Sequence, residues 1–309
     1  MLTALLVPVA IAAVIYLYAL IRSAMKRGML SPNPEAVVLG AVTNFFDTLG
    51  IGSFAPTMAW LKFRRLTPDR LIPCTLLPAH SLPAMAQSAI FLVLLGVFVD
   101  PALLVGCVIA FITGVVIGAP LVIRTKVWLV QLVAAIALVI AAAFYALTNL
   151  DLMPGGGTAT GLPPLLMIVA IAANFLFGIL INFGVGHYAP SLVMLSLMGM
   201  DPRLSFPIMA TAGALAGAGG TLRHIAIGEI DLRIVIGVAI GGVPAVLVAA
   251  FVVREMPIEL LRWLVIVVVL YAAAVMLRSA LQGRDAGAAP LASDCGNEAP
   301  TPSPLQGRG

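Results

Sequence analysis

Gly50-Ile51-Gly52-Ser53-Phe54-Ala55-Pro56-Thr57 returns further along the chain as Gly184-Val185-Gly186-His187-Tyr188-Ala189-Pro190-Ser191. Four of the eight pairs are identical and three more are conservative. The spacing of 134 then holds without a gap, so that Leu61 meets Leu195, Pro68 meets Pro202 and Pro73 meets Pro207. Two Gly-x-Gly-x-x-Ala-Pro strings with two aligned prolines behind them mark an internal duplication, a first repeat over 36–147 and a second over 164–280.

The string also carries a physical instruction. Two glycines followed by a proline weaken a helix, and here they fall in the middle of long apolar stretches. A helix broken at membrane depth leaves backbone N–H and C=O groups that hydrocarbon cannot satisfy. Those groups must face protein or a watery cavity, and two breaks at equivalent places in two repeats point to a transporter's binding site. For a single copy, a packing kink would be the simpler reading.

The composition sets the surroundings. Hydrophobic residues make up 61% of the 309 positions and charged residues only 10%, with a mean hydropathy of +1.12. A water-facing domain carries roughly 25% charged residues, so this chain reads as an all-α polytopic membrane protein. Apolar runs at 2–21, 71–99, 101–123, 127–147, 204–227, 232–253 and 258–277 are each long enough to cross a bilayer. The stretches 36–63 and 164–199 are the interrupted ones. Residues 1–30 form an extra helix with a basic loop behind it, 148–163 connect the repeats, and the polar, Pro- and Gly-rich stretch 283–309 reads as a disordered tail. The first run is read as a retained helix, because its basic residues follow it. The net charge of +4 is spread over short loops, which argues against a nucleic-acid partner. The three cysteines have no metal- or redox-like spacing, and nothing calls for a cofactor.

Basic residues choose between two topologies. If both interrupted stretches enter and leave on one side, and the N-terminus is outside, 14 of the 17 Lys and Arg residues fall inside. Only Arg203, Arg254 and Arg262 then lie outside. If the first stretch crosses fully, the split is 8 to 9, which is no bias. The re-entrant arrangement gives each repeat one broken element plus three spans, an odd number, so the halves are inverted in the membrane. The C-terminus is then cytoplasmic.

The run Asn44-Phe45-Phe46-Asp47-Thr48-Leu49-Gly50-Ile51-Gly52-Ser53-Phe54-Ala55-Pro56-Thr57, continued by Asp69-Arg70-Leu71-Ile72-Pro73, resembles the first signature region of the TauE/SafE permeases, the sulfite exporter family. The Gly184-Val185-Gly186 region is similar to that family's second copy. The resemblance implies a bacterial inner-membrane permease that exports sulfite, organosulfonates or related small sulfur-containing anions.

An anion suits a site made of helix N-termini, with glycines that let the backbone come close. On that argument Gly50, Gly52, Ser53 and Phe54, with Gly184, Gly186, His187 and Tyr188, are the substrate-binding candidates. Asp47 is the one acidic residue in the first interrupted stretch. It either carries a proton or hydrogen-bonds neighbours such as Asn44 or Thr48. His80 and Gln87 share a helix face and, with Thr48 and Asn182, are candidates for lining the cavity or for proton coupling, while Asn174 and Asn182 could also cap broken helix ends. Alternating access around the two breaks, with protons as a candidate driver, is the expected mechanism. An anion channel is the alternative. An intramembrane enzyme is disfavoured because no Ser–His, paired-Asp or His-Glu-x-x-His arrangement falls inside a span. Expected partners are the anion, membrane lipid and a possible homo-oligomeric copy.

Overall fold

A computed structural model describes residues 2–68, 71–118, 120–121, 126–150, 152, 157–183 and 185–285. Among these residues there are eleven α-helices and no strand longer than one bridge. They are α1 (Leu2–Arg27), α2 (Pro34–Thr48), α3 (Phe54–Arg64), α4 (Ile72–Leu94), α5 (Pro101–Gly118) and α6 (Val127–Asn149), then α7 (Pro164–Ile181), α8 (Tyr188–Leu197), α9 (Pro202–Ile227), α10 (Leu232–Glu255) and α11 (Ile258–Asp285). Adding 134 to the bounds of α2, α3, α4, α5 and α6 lands within a few residues of α7, α8, α9, α10 and α11.

Seven of the helices are long and apolar enough to cross a membrane: α1, α4, α5, α6, α7, α10 and α11. Two differences from the sequence reading stand out. α7 is an unbroken apolar helix of 18 residues, so the second interrupted stretch has a full-length first limb. α9, expected as a span, is 26 residues long but is not among the seven. Its Gly-, Ala- and Thr-rich sequence lies inside the bundle, packed by α4, α5, α1 and α8, so it has little need of a lipid-facing apolar surface. α11 remains helical through residue 285, so the expected tail begins no earlier than 286, and 286–309 lie outside the described residues.

Each broken element is a hairpin closed at its base. In the first, Glu35 at the start of α2 accepts hydrogen bonds from Arg64 Nε (2.7 Å) and Trp60 Nε1 (3.0 Å) at the end of α3. In the second, Ala159, just before α7, forms a parallel bridge with Met200, just after α8. The two bases lie at opposite ends of the bundle. Asn33 N–H donates to the Arg233 carbonyl and Asp231 N–H to Thr75 Oγ1, which puts the first base beside the starts of α4 and α10. Asp100 N–H donates to the Thr160 carbonyl, which puts the second base beside the start of α5 and the far end of α4. Between them runs α4, whose 23 residues span about 35 Å.

Each hairpin's long limb is clamped to one long helix by backbone contact at glycines. A Cβ on Gly241 of α10 would sit 1.8 Å from the Val37 carbonyl oxygen of α2, and one on Gly178 of α7 would sit 2.1 Å from the Phe111 carbonyl oxygen of α5. Such small-residue seams supply close van der Waals packing where no hydrophobic drive exists between helices in lipid. Large apolar side chains, Val116, Val133, Leu165 and Val267 among them, face outward.

Candidate functional site: a central cavity between two helix breaks

Both breaks close on the same pair of backbone bonds. In the first, Leu49 N–H and Ile51 N–H both donate to the Phe46 carbonyl, at 3.1 Å each. In the second, 134 residues on, Phe183 N–H (2.9 Å) and Val185 N–H (3.3 Å) donate to the Leu180 carbonyl. These bonds close the last turn of the long limb by capping an orphan carbonyl. The turn requires positive φ at Gly50 (98°) and Gly52 (88°), which is why glycine stands there. The short limb then starts afresh: Thr57 N–H donates to the Ser53 carbonyl, and its counterpart Ser191 N–H to the His187 carbonyl, at 3.1 Å each.

The tips of the two hairpins meet at one cavity of about 490 Å³. The first tip contributes Asp47, Gly50, Gly52, Ser53 and Phe54, and the second contributes Gly186, His187 and Tyr188. His80 and Ser81 of α4 and Tyr271 of α11 complete the polar wall. The remainder is apolar, with Leu77, Val115, Leu138, Ile181 and Met276 in it. A Cβ built on Gly52 or Gly186 would touch nothing within 4 Å, so the backbone is open to the cavity at both tips. Among the described residues no lysine or arginine lines the space, and Asp47 is its one acidic residue. The N-termini of α3 and α8 each bring about half a positive elementary charge to the tips, where the C-termini of α2 and α7 and the Asp47 carboxylate bring negative charge. Pro56 and Pro190 sit in the first turns of α3 and α8, where a missing N–H costs nothing.

The polar side chains are held individually. Asp47 is hydrogen-bonded to the hydroxyl and backbone N–H of Ser53, across the break, and not to Asn44 or Thr48. His80 is buried, with Nδ1 at 3.0 Å from Asn44 Oδ1 and Nε2 at 3.0 Å from Thr57 Oγ1. His187 Nε2 lies 3.0 Å from the Met209 carbonyl oxygen and must therefore carry a hydrogen. Its ring packs on Phe111 (4.4 Å between centroids) and Tyr188 (4.6 Å).

Of the residues singled out in the sequence, Gly50, Gly52, Ser53, Phe54, Gly186, His187, Tyr188, Asp47 and His80 all line the cavity. Gly184 lies outside the described residues. Three side chains do not reach the wall. Thr48 is buried and donates to the Asn44 carbonyl at 2.8 Å. Asn182 donates at 3.2 Å to the carbonyls of Gly178, Ile179 and Val115, which caps α7 and ties it to α5. Gln87 is fully buried one layer back, accepting from the Tyr188 hydroxyl at 3.5 Å. Asn174 accepts from Ser191 Oγ at 3.2 Å, which joins the limbs of the second hairpin.

Three supports were missed in the sequence. Gln131 of α6 donates at 2.8 Å to the Phe183 carbonyl inside the second break. It is the sole amide in an apolar run, which is the signal that could have found it. Thr57 and Asn44 flank the first break and reach His80 only in three dimensions. Among the described residues, no group of three or more His, Cys, Asp or Glu side chains comes together as a metal site.

Seven helices apolar and long enough to cross a bilayer, with a cavity at two helix breaks, define a multi-pass membrane protein. Over residues 166–305 the chain matches the family described as Sulfite exporter TauE/SafE, a family of transporters. That match covers the second half, with its Gly184-Val185-Gly186 string, whereas the similar run at 44–57 lies outside it. No curated protein and no solved structure matches the chain.

Proposed function

We propose that this chain is a permease that exports small sulfur-containing anions, sulfite or organosulfonates, across a bacterial inner membrane by alternating access around the central cavity. The observation that carries the reading is the meeting of two helix N-termini, from hairpins based at opposite ends of the bundle, on one cavity that no lysine or arginine lines among the described residues. Two half-charges of fixed backbone dipole suit a small monovalent or divalent anion that must be released again, because no buried ion pair holds it. The 134-residue correspondence of helices and break bonds supports an inverted repeat. Exchange of inward- and outward-facing states is then a swap of conformations between the halves. The end that carries Arg27, Arg64, Arg65 and Arg233 is the cytoplasmic one, and the end that carries Arg203 and Arg254 faces outward, with the N-terminus outside.

Flux of sulfite, sulfoacetate, sulfate and chloride into proteoliposomes, with and without an imposed pH gradient, tests this. The expected result is saturable flux of sulfite or a sulfonate, abolished by Gly52→Leu or Gly186→Leu. Flux of chloride alone, without saturation, would identify a channel. No flux of any of them would remove the assignment.

A further inference from the structure

The hydrogen bonds around His80 fix where its hydrogens are. Asn44 lies 2.8 Å from the Gly40 carbonyl, which can only accept, so the atom facing it is the amide nitrogen. The other Asn44 terminus is therefore the oxygen, and it accepts from His80 Nδ1–H. A neutral imidazole then has a bare Nε2, and Thr57 O–H donates to it.

A second arrangement needs only one rotation. If Nε2 takes a proton, the ring donates at both nitrogens. Asn44 Oδ1 is already an acceptor, and the Thr57 hydroxyl turns so that its oxygen accepts. Both partners serve both charge states, and neither contact with the hairpin is broken. His187 has no such freedom at Nε2, whose partner is a carbonyl.

We infer that His80 is the proton-binding site of the transport cycle, taking one proton together with the anion. The inference rests on the export reading given above. Its thermodynamic reason is the charge already in the cavity. An anion bound at the two helix N-termini shares the space with the Asp47 carboxylate, and the two repel in a low-dielectric site. A proton on His80, in the same wall, offsets the added charge, so anion and proton each favour the other's binding by the same factor.

The groups that face His80 leave few rivals. From α2 there is Asp47, and from α3 only Thr57, Ser53 and the Phe54 ring, 5.5 Å away between centroids. From α1 comes Tyr16, whose hydroxyl donates to the Pro78 carbonyl at 2.8 Å. α9 offers Thr221, bonded to Ser81, and has its ionisable residues only near its ends, at Arg203, Arg223 and His224. α10 has none between Arg233 and Arg254. Across the cavity are His187, Tyr188 and Tyr271.

The test is the affinity of purified full-length protein for sulfite and for methanesulfonate between pH 6 and 8, compared with His80→Gln in the same buffers. Glutamine can give an N–H to Asn44 and an oxygen to Thr57, so both contacts survive without a titrating group. Ionisation of the anion itself cancels in the comparison. One-proton linkage predicts that wild-type affinity falls about tenfold per pH unit above the site's titration point. His80→Gln should hold the weak, high-pH affinity of the wild type throughout. Thr57→Val, which cannot accept from a protonated ring, should flatten the profile in the same way. A variant profile as steep as the wild type's would overturn the inference while leaving the export reading in place. A wild type that binds neither anion would bring down both.

Discussion

The two hairpins close their breaks with the same pair of backbone bonds and differ in their fastenings. In the first, Asn44 on one limb and Thr57 on the other are both tied to His80, which stands on α4. In the second, the limbs are tied directly, Ser191 to Asn174, and the histidine belongs to the hairpin itself, reaching out from His187 to the Met209 carbonyl of α9. Position 187 corresponds to Ser53 and position 80 to Ala214, so neither histidine has a histidine counterpart in the other half. The shared backbone bonds build the cavity. The unshared side chains make its two walls chemically different: a histidine held between an amide and a hydroxyl on one, an aromatic stack around a histidine on the other.

The seams that fix the long limbs should be where both hairpins fail alike. Gly241→Leu and Gly178→Leu each drive a side chain into a backbone carbonyl, at contacts where even a Cβ would sit at 1.8 and 2.1 Å. Overpacking of this kind costs about 1–3 kcal/mol or more, and backbone on the other side cannot yield. Neither variant should elute as a folded, monodisperse species in size-exclusion chromatography. If one does, that hairpin is held elsewhere.

A smaller effect separates the halves. Gln131→Leu removes the donor to the Phe183 carbonyl and leaves a buried acceptor unpaired, a cost of about 1–3 kcal/mol. Thermal unfolding in detergent should show the loss, and the counterpart of position 131, Val265, has no such bond to lose. Gly52→Ala should also destabilise, by about 1–2 kcal/mol, because φ is +88° there. Gly186→Ala has room, and its φ lies outside the left-handed region, so its midpoint should stay close to that of the parent. Equal losses at both positions would mean the breaks have the same backbone.

Much of this was readable beforehand, for a definite reason. Gly and Pro at fixed spacing act on the chain within a few residues of themselves, so both breaks and both tips could be located from the string alone. The spans at 127–147 and 232–253 likewise follow from local hydropathy, and they match α6 and α10 closely. What stayed hidden depends on contacts between distant residues. His80 pairs with Asn44 and Thr57, 36 and 23 positions away, and Gln131 with Phe183, 52 away. Nothing local says that Gln87, one helical face with His80, would sit behind Tyr188 and not in the wall.

The smallest expected effect lies at the base of the first hairpin. Glu35 and Arg64 are at the surface, their side chains 30% and 52% exposed, so Glu35→Gln should change stability by no more than about 0.5 kcal/mol. A larger loss would make the ion pair, and not the glycine seam, the closure of that hairpin.

The central claim is that two breaks build one binding site. Titration calorimetry with sulfite on the wild type, Gly52→Leu and Gly186→Leu, each checked for monodispersity, tests it most directly. The account predicts one anion per wild-type chain and none for either variant, since a leucine at either tip fills the same cavity. Two anions per chain, with one surviving each substitution, would mean two separate half-sites and would contradict it.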